Sequence, residues 1–147
     1  MAETPAALER LMIEWECSKL VNRYNLLNDA NRFEEAAALF AEDGSYQTPA
    51  TPEPVAGRAA ILEVLKMRSS ASARHFVTNL VIDVISRTEA RGRSYLLVLL
   101  SNEPDIAKAV ASGPPLSGEI DEHFILTADG WRFGHRRGKL SIRFAGA

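Results

Sequence analysis

Near Ser70 the apolar residues of this chain change rhythm, from the three-to-four spacing of helices to the alternation of strands. Helical texture confined to one half and strand texture to the other implies segregated layers, the α+β class, rather than alternating βα units. In the first half, Thr4-Pro5 reads as a helix start, with Thr as cap and Pro in the first turn, where a missing N–H costs nothing. Leu8, Leu11, Met12, Trp15, Leu20, Val21, Tyr24 and Leu27 then recur at roughly helical spacing and predict one buried stripe on a helix running to about Asn28. Asn31, with Glu34 three residues on, resembles a capping box for a second helix. Its buried face is expected to be Phe33, Ala37 and Phe40, and Asp43-Gly44 to end it.

A short strand is expected over Gly44–Thr48. Pro49 to Pro54 holds three prolines in six residues and reads as a loop, followed by a third helix from Gly57 to about Met67. Beyond Ser70, segments 75–86 and 94–101 are β-rich and joined across the polar stretch Arg87–Arg93, a long hairpin. Tyr95–Leu100 is apolar on both faces and predicts a central strand covered on both sides. Residues 102–117 read as a loop that holds at most a short helix. Segments 119–127 and 131–144 flank Ala128-Asp129-Gly130, and Asp-Gly between two apolar runs is a strong hairpin signal. The expected fold is a strongly curved, cone-shaped antiparallel sheet closed by the N-terminal helices over an apolar pocket. At 147 residues the whole chain, 1–147, is expected to be one domain with a core large enough to need no metal or disulfide.

Composition narrows the function classes. A net charge of -2 gives phosphate backbones nothing to bind, so no nucleic-acid partner is expected. Cys17 is the single cysteine, so no internal disulfide can form, and its place in a helical apolar pattern suits an inert buried thiol. The acidic N-terminus lacks the pattern of a signal peptide, and no apolar run approaches the roughly 18 residues of a membrane helix. A soluble, cytoplasmic protein without a membrane partner is the expectation. The three histidines and the scattered acids show no metal-ligand spacing, and no Gly-rich phosphate loop or serine-nucleophile motif is present. No metal and no cofactor are therefore expected.

Residues 23–46 (RYNLLNDANRFEEAAALFAEDGSY), 55–65 (VAGRAAILEVL), 74–84 (RHFVTNLVIDV) and 129–138 (DGWRFGHRRG) together resemble the SnoaL-like proteins. These belong to the nuclear-transport-factor-2-like superfamily, with scytalone dehydratase, ketosteroid isomerase and bile-acid dehydratase among its members. The resemblance covers about residues 8–138. It implies the cone fold, and it implies a cofactor-free lyase or isomerase acting on a mid-sized apolar carbonyl compound such as a steroid, polyketide or aromatic catabolite. It further implies a homodimer or homotrimer formed through the open sheet face, which Arg132, Arg136, Arg137 and Arg143 would flank unless they are simply solvated. Residues 24–49 also resemble the β subunit of ring-hydroxylating dioxygenases, so a non-catalytic ligand-binding or assembly module is the alternative. An epoxide hydrolase would need an Asp-Arg-Asp set around water, and the sequence offers no place for one.

In the dehydratase-like members a tyrosine, an aspartate five residues later and a histidine opening the first long strand carry the chemistry. Tyr24, Asp29 and His75 match those positions. Histidine can act as general acid and base near neutral pH, an aspartate beside it holds one ring tautomer, and a buried tyrosine hydroxyl can donate to an enolate-like oxygen. Asp29 falls at the end of the first helix, where exposed carbonyls disfavour a negative charge by about 0.3–1 kcal/mol. An acid there faces solvent, caps a turn near Asn31, or has a cationic or hydrogen-bonding partner. His75 precedes an apolar strand. Strand alternation puts His75, Val77, Asn79 and Val81 on one face, which makes Asn79 a candidate to orient a ligand. Tyr24 lies on the helix stripe and is either a core tyrosine or a pocket donor. Tyr46 either lines the pocket mouth or packs. His123 shares a face with Asp121 and Ile125, opposite Ile120, Glu122, Phe124 and Leu126, and spacing leaves open which face looks inward. His135, expected on one face with Trp131 and Phe133, reads as part of a solvated strand end.

Overall fold

The long apolar-patterned segment at the start forms α1 (Ala7–Asp29), which packs mainly across the first long strand and also against the last strand of the sheet. A computed structural model describes residues 5–146. Thr4 as helix cap lies outside them; in the structure the Ala6 N–H donates to the Glu9 carboxylate at 2.8 Å, closing the first turn from within. Then follow α2 (Phe33–Ala37), β1 (Phe40–Gln47), β2 (Val55–Ala56), α3 (Arg58–Lys66), β3 (Ser72–Val84), β4 (Glu89–Ser101), β5 (Leu116–Thr127) and β6 (Gly130–Leu140). The strands make one curved, unclosed sheet in the order β2-β1-β6-β5-β4-β3, with the helices on its concave side. The class is α+β, as the segregated texture implied. The pairing is antiparallel except between β1 and β6, which run parallel and are joined by a long crossover of α3 and four strands.

The core joins one face of α1 to α3 and to the inner face of the sheet: Ile13, Cys17, Leu20, Val21 and Tyr24 meet Ile61 and Leu65 of α3 and Phe40, Phe124 and Phe133 of the strands. This corrects the expected stripe. Leu8, Leu11, Met12 and Trp15 remain 59–69% exposed, and the buried row starts instead at Ile13 and runs through Cys17. Both rows are apolar at helical spacing, so only contact with the sheet chooses between them. Burial pushes the Cys17 thiol up to about 12, which leaves it un-ionised.

Several boundaries move for local reasons. The second helix is five residues long; Asn31 takes a left-handed conformation at φ 58° and the helix starts after Arg32 instead. Phe40 opens β1 and is fully buried there, and Asp43-Gly44 lies inside that strand. A register shift occurs between Phe40 and Ser45, where a Cβ on Gly44 would sit 2.9 Å from the Phe133 carbonyl. The stretch Arg87–Arg93 is mostly strand, since Ala90 and Gly92 point inward while Arg91 and Arg93 point out. The last strand ends at Leu140, and residues 102–115 contain no helix. Tyr95 and Leu97 are exposed on the convex face, so β4 is covered on one side only.

Two irregularities decide which residues look inward. At Asn79 (φ 55°) β3 shifts register against β4, and inward positions pass from Val77 to Leu80, Ile82 and Val84. At Gly134 the pairing of β6 with β5 slips by one, so Phe133 and Arg136 both point inward and His135 turns out. Without side-chain atoms Gly134 also leaves room for the His123 ring, whose Nδ1 would lie 2.9 Å from an added Cβ.

Candidate active site

Asp29 ends α1 and His75 opens the apolar run of β3, and the packing of α1 across β3 brings them together. His75 Nδ1 lies 2.5 Å from Asp29 Oδ1, and the His75 backbone N–H donates to Asp29 Oδ2 at 3.0 Å. Both carboxylate oxygens are thus engaged by one residue, which fixes the carboxylate plane against the ring. An ionised carboxylate only accepts, so Nδ1 carries the proton and Nε2 is left with its lone pair. The two side chains retain 13% and 10% of their surface, enough shielding to strengthen the contact over one in water.

The cost of a carboxylate at a helix C-terminus is met by a cation that sequence spacing did not single out. Arg68, in the link from α3 to β3, donates through Nη1 to the Asn28 carbonyl at 3.0 Å and to Asn28 Oδ1 at 3.2 Å, and through Nη2 to Asn31 Oδ1. Burial lowers the Arg68 pKa, and the neighbouring Asp29 charge works against that. Its guanidinium also stands 5.3 Å from the Phe33 ring centroid.

His75 looks into a chamber of about 240 Å³. Leu96, Val98, Leu100, Leu116, Ile120 and Leu140 of the sheet form its apolar wall, while Tyr24, Asn25, Asn28, Tyr46, Arg68 and Arg136 supply its polar groups. At the base, Tyr24 is 1% exposed and stacks edge-on against Phe40, Tyr46 and Phe133, with centroids 5.6–6.4 Å away. Its hydroxyl has no hydrogen-bond partner of ordinary geometry, although Tyr46 and Arg136 stand beside it. Burial, ahead of the Tyr46 hydroxyl, holds the Tyr24 pKa well above the usual tyrosine value, so the group stays a proton donor.

Under Tyr24 lies a buried ion pair, Glu122 of β5 with Arg136 of β6, at 3% and 2% exposure. The Arg136 guanidinium carbon is 4.4 Å from the Tyr24 ring centroid. A Cβ on Gly92 would come within 3.1 Å of a Glu122 carboxylate oxygen, so the absence of a side chain there makes room for the acid. Glu122 had a signal in the sequence, since a charge alternating with Ile120 and Phe124 on an apolar face demands a partner. Arg136 had none. The Gly134 slip turns it inward, away from the solvated strand end or interface rim expected for it.

A family model described as the SnoaL-like domain matches residues 9–137. The chain belongs to the SnoaL-like family. No curated protein matches it. Among solved structures it is similar to a putative scytalone dehydratase from Novosphingobium aromaticivorans, at 23% identity and TM-score 0.77, over 93% of this chain and 89% of the other. It is also similar to the hexachlorocyclohexane dehydrochlorinase LinA-type3 from Novosphingobium barchaimii, at 15% identity and TM-score 0.78, over 97% of each. A third, a Catenulispora acidiphila protein in complex with S-DNPA, is 27% identical with TM-score 0.68, over 85% of this chain and 90% of the other. The first two likenesses speak to the fold alone.

Of the residues singled out in this SnoaL-like chain, Tyr24, Tyr46 and His75 line the chamber, with Asp29 directly behind His75. Asn79 and His123 do not reach it. Asn79 sits exposed at the β3 irregularity, on the convex face beside Val81, Asp83 and Arg91, because the slip breaks the alternation that would have aligned it with His75. His123 lies on the outer face of β5, where Nε2 contacts Glu89 Oε1 at 2.9 Å; Ile120, Glu122 and Phe124 are the inward set. His135 is no bare strand end, since its Nδ1 lies 2.7 Å from the Ser45 hydroxyl. Among the described residues no three His, Cys, Asp or Glu side chains converge as a metal site requires. None of the described helices is long and apolar enough to cross a membrane.

Proposed function

We propose that this SnoaL-like protein is a lyase or isomerase whose acid/base group is His75, acting on a carbonyl compound with one or two rings. The observation that carries the reading is the 2.5 Å contact of His75 Nδ1 with Asp29 at the wall of an apolar chamber. A vestigial binding or assembly module would have no need to hold an imidazole in one tautomer at the wall of an apolar chamber, and that favours the enzyme over the module. The volume of about 240 Å³ falls below the ~300–1,000 Å³ of sites for drug-sized ligands, so a compact ring system fits better than a four-ring steroid.

In a dehydration, Nε2 of His75 takes a proton from the carbon next to the carbonyl. The electron pair moves onto the carbonyl oxygen, where the Tyr24 hydroxyl donates a hydrogen bond to the developing enolate. Asp29 balances the imidazolium, which then returns its proton to the departing β-hydroxyl. Water leaves and a C=C bond remains. An isomerisation uses the same first half and returns the proton to carbon.

The test substrate is 3-hydroxy-1-tetralone, whose loss of water gives 1-naphthol, followed by its fluorescence. His75→Ala is expected to lower kcat by about 10²–10⁴, the usual share of general acid/base catalysis, and Asp29→Asn by a smaller factor through loss of the tautomer. Equal turnover by wild type and His75→Ala would remove the mechanism.

A further inference from the structure

A second cavity of about 230 Å³ also borders His75. Five of its ten lining residues, Asn28, Tyr46, Thr48, Arg68 and His75, also line the chamber, so the two spaces meet at the imidazole. Their far walls differ in kind. The chamber ends on sheet side chains, whereas the second cavity is bounded by the end of α3 and its exit (Val64, Leu65, Met67) and by the proline-rich loop (Ala50, Thr51). Thr51 has its hydroxyl tied to the Thr48 backbone, accepting from N–H at 2.9 Å and donating to C=O at 3.1 Å. It therefore presents its methyl rather than a free polar group. Arg68 is committed at both terminal nitrogens to the turn after α1, and its Nε is a buried donor without a hydrogen-bond partner. What remains facing that space is largely aliphatic.

We infer that this cavity is a second substrate lobe, taking a short aliphatic arm attached at the carbon next to the carbonyl, while the ring system occupies the chamber. The reacting carbon then sits at the junction that both lobes share, beside His75. Val64, Leu65 and Met67 together with the loop at Ala50 and Thr51 determine specificity for the arm, because they bound the lobe away from the acid/base pair. The inference rests on the carbonyl reading of the chamber, but it concerns binding and not turnover.

The test compares the affinities of 1-tetralone and 2-propyl-1-tetralone by calorimetry, with methyl NMR signals of Val64 and Thr51 followed in parallel. Wild type is expected to bind the propyl compound at least about tenfold more tightly, the gain from burying two or more methylenes, with both methyl signals shifting for that compound only. Val64→Phe, which fills the lobe, is expected to bring the ratio close to one. Ala50→Trp approaches the lobe from an exposed loop position and gives the same reading should Val64→Phe fold poorly. A ratio near one in wild type, or a tenfold ratio that survives both substitutions, overturns the inference. Since no step depends on catalysis, the lobe can fail while 3-hydroxy-1-tetralone is still dehydrated, and can hold where it is not.

Discussion

Glu122 and Arg136 are the most consequential charges inside the molecule outside the His75–Asp29 pair. Each is nearly fully buried, and each is the other's counter-charge under Tyr24. Removing one partner leaves an uncompensated charge in the core, so Glu122→Ala is expected to cost about 3–5 kcal/mol in urea unfolding. Replacing both, as Glu122→Leu with Arg136→Met, removes the desolvation burden as well and should recover most of that loss. A single substitution costing under about 1 kcal/mol would mean that water reaches the pair. The same pair places a cation against the Tyr24 ring, so the double variant separates stability from any share the guanidinium has in turnover.

On the scale of elements, α1 is apolar on more than one side, and the sheet decides which side is core. Leu11 and Leu20 provide a matched pair on that helix, one 61% exposed and the other 7%. Leu20→Ala is expected to cost about 2–5 kcal/mol, whereas Leu11→Ala should stay within about 0.5 kcal/mol. Equal losses at both positions would show that the outer row is covered in solution. Strands β3 and β6 teach a related lesson. Each slips by one residue, at Asn79 and at Gly134, and beyond the slip every alternation argument inverts. Alternation therefore holds at Val77 and fails at Asn79 and Arg136.

The whole molecule carries a pH dependence that can be read from its outer face. Burial, followed by the charges of Arg137 and His123, pushes the His135 imidazole below its ordinary value of 6.5, with Asp121 opposing. The unfolded chain therefore takes up this proton before the folded one does. Stability is full above about pH 6.5 and declines as the pH falls from there. His135→Gln should flatten the decline in thermal unfolding midpoint between pH 6.5 and 5; an unchanged slope would assign the loss to other groups. As for what was legible beforehand, the α+β class, three helices, the long strands and the Asp-Gly hairpin all follow from periodicity and turn chemistry, which are local properties of the chain. The resemblance to SnoaL-like proteins pointed to Tyr24, Asp29 and His75 one by one, because motif positions are also local. That Asp29 reaches His75, that Arg68 steadies the turn between them, and that Glu122 meets Arg136 are pairings across 46, 40 and 14 residues or so of chain. They depend on the crossing of α1 over β3 and on two one-residue slips, and slips of that kind leave no mark on composition or spacing. The folded sheet alone decides which residues face the chamber.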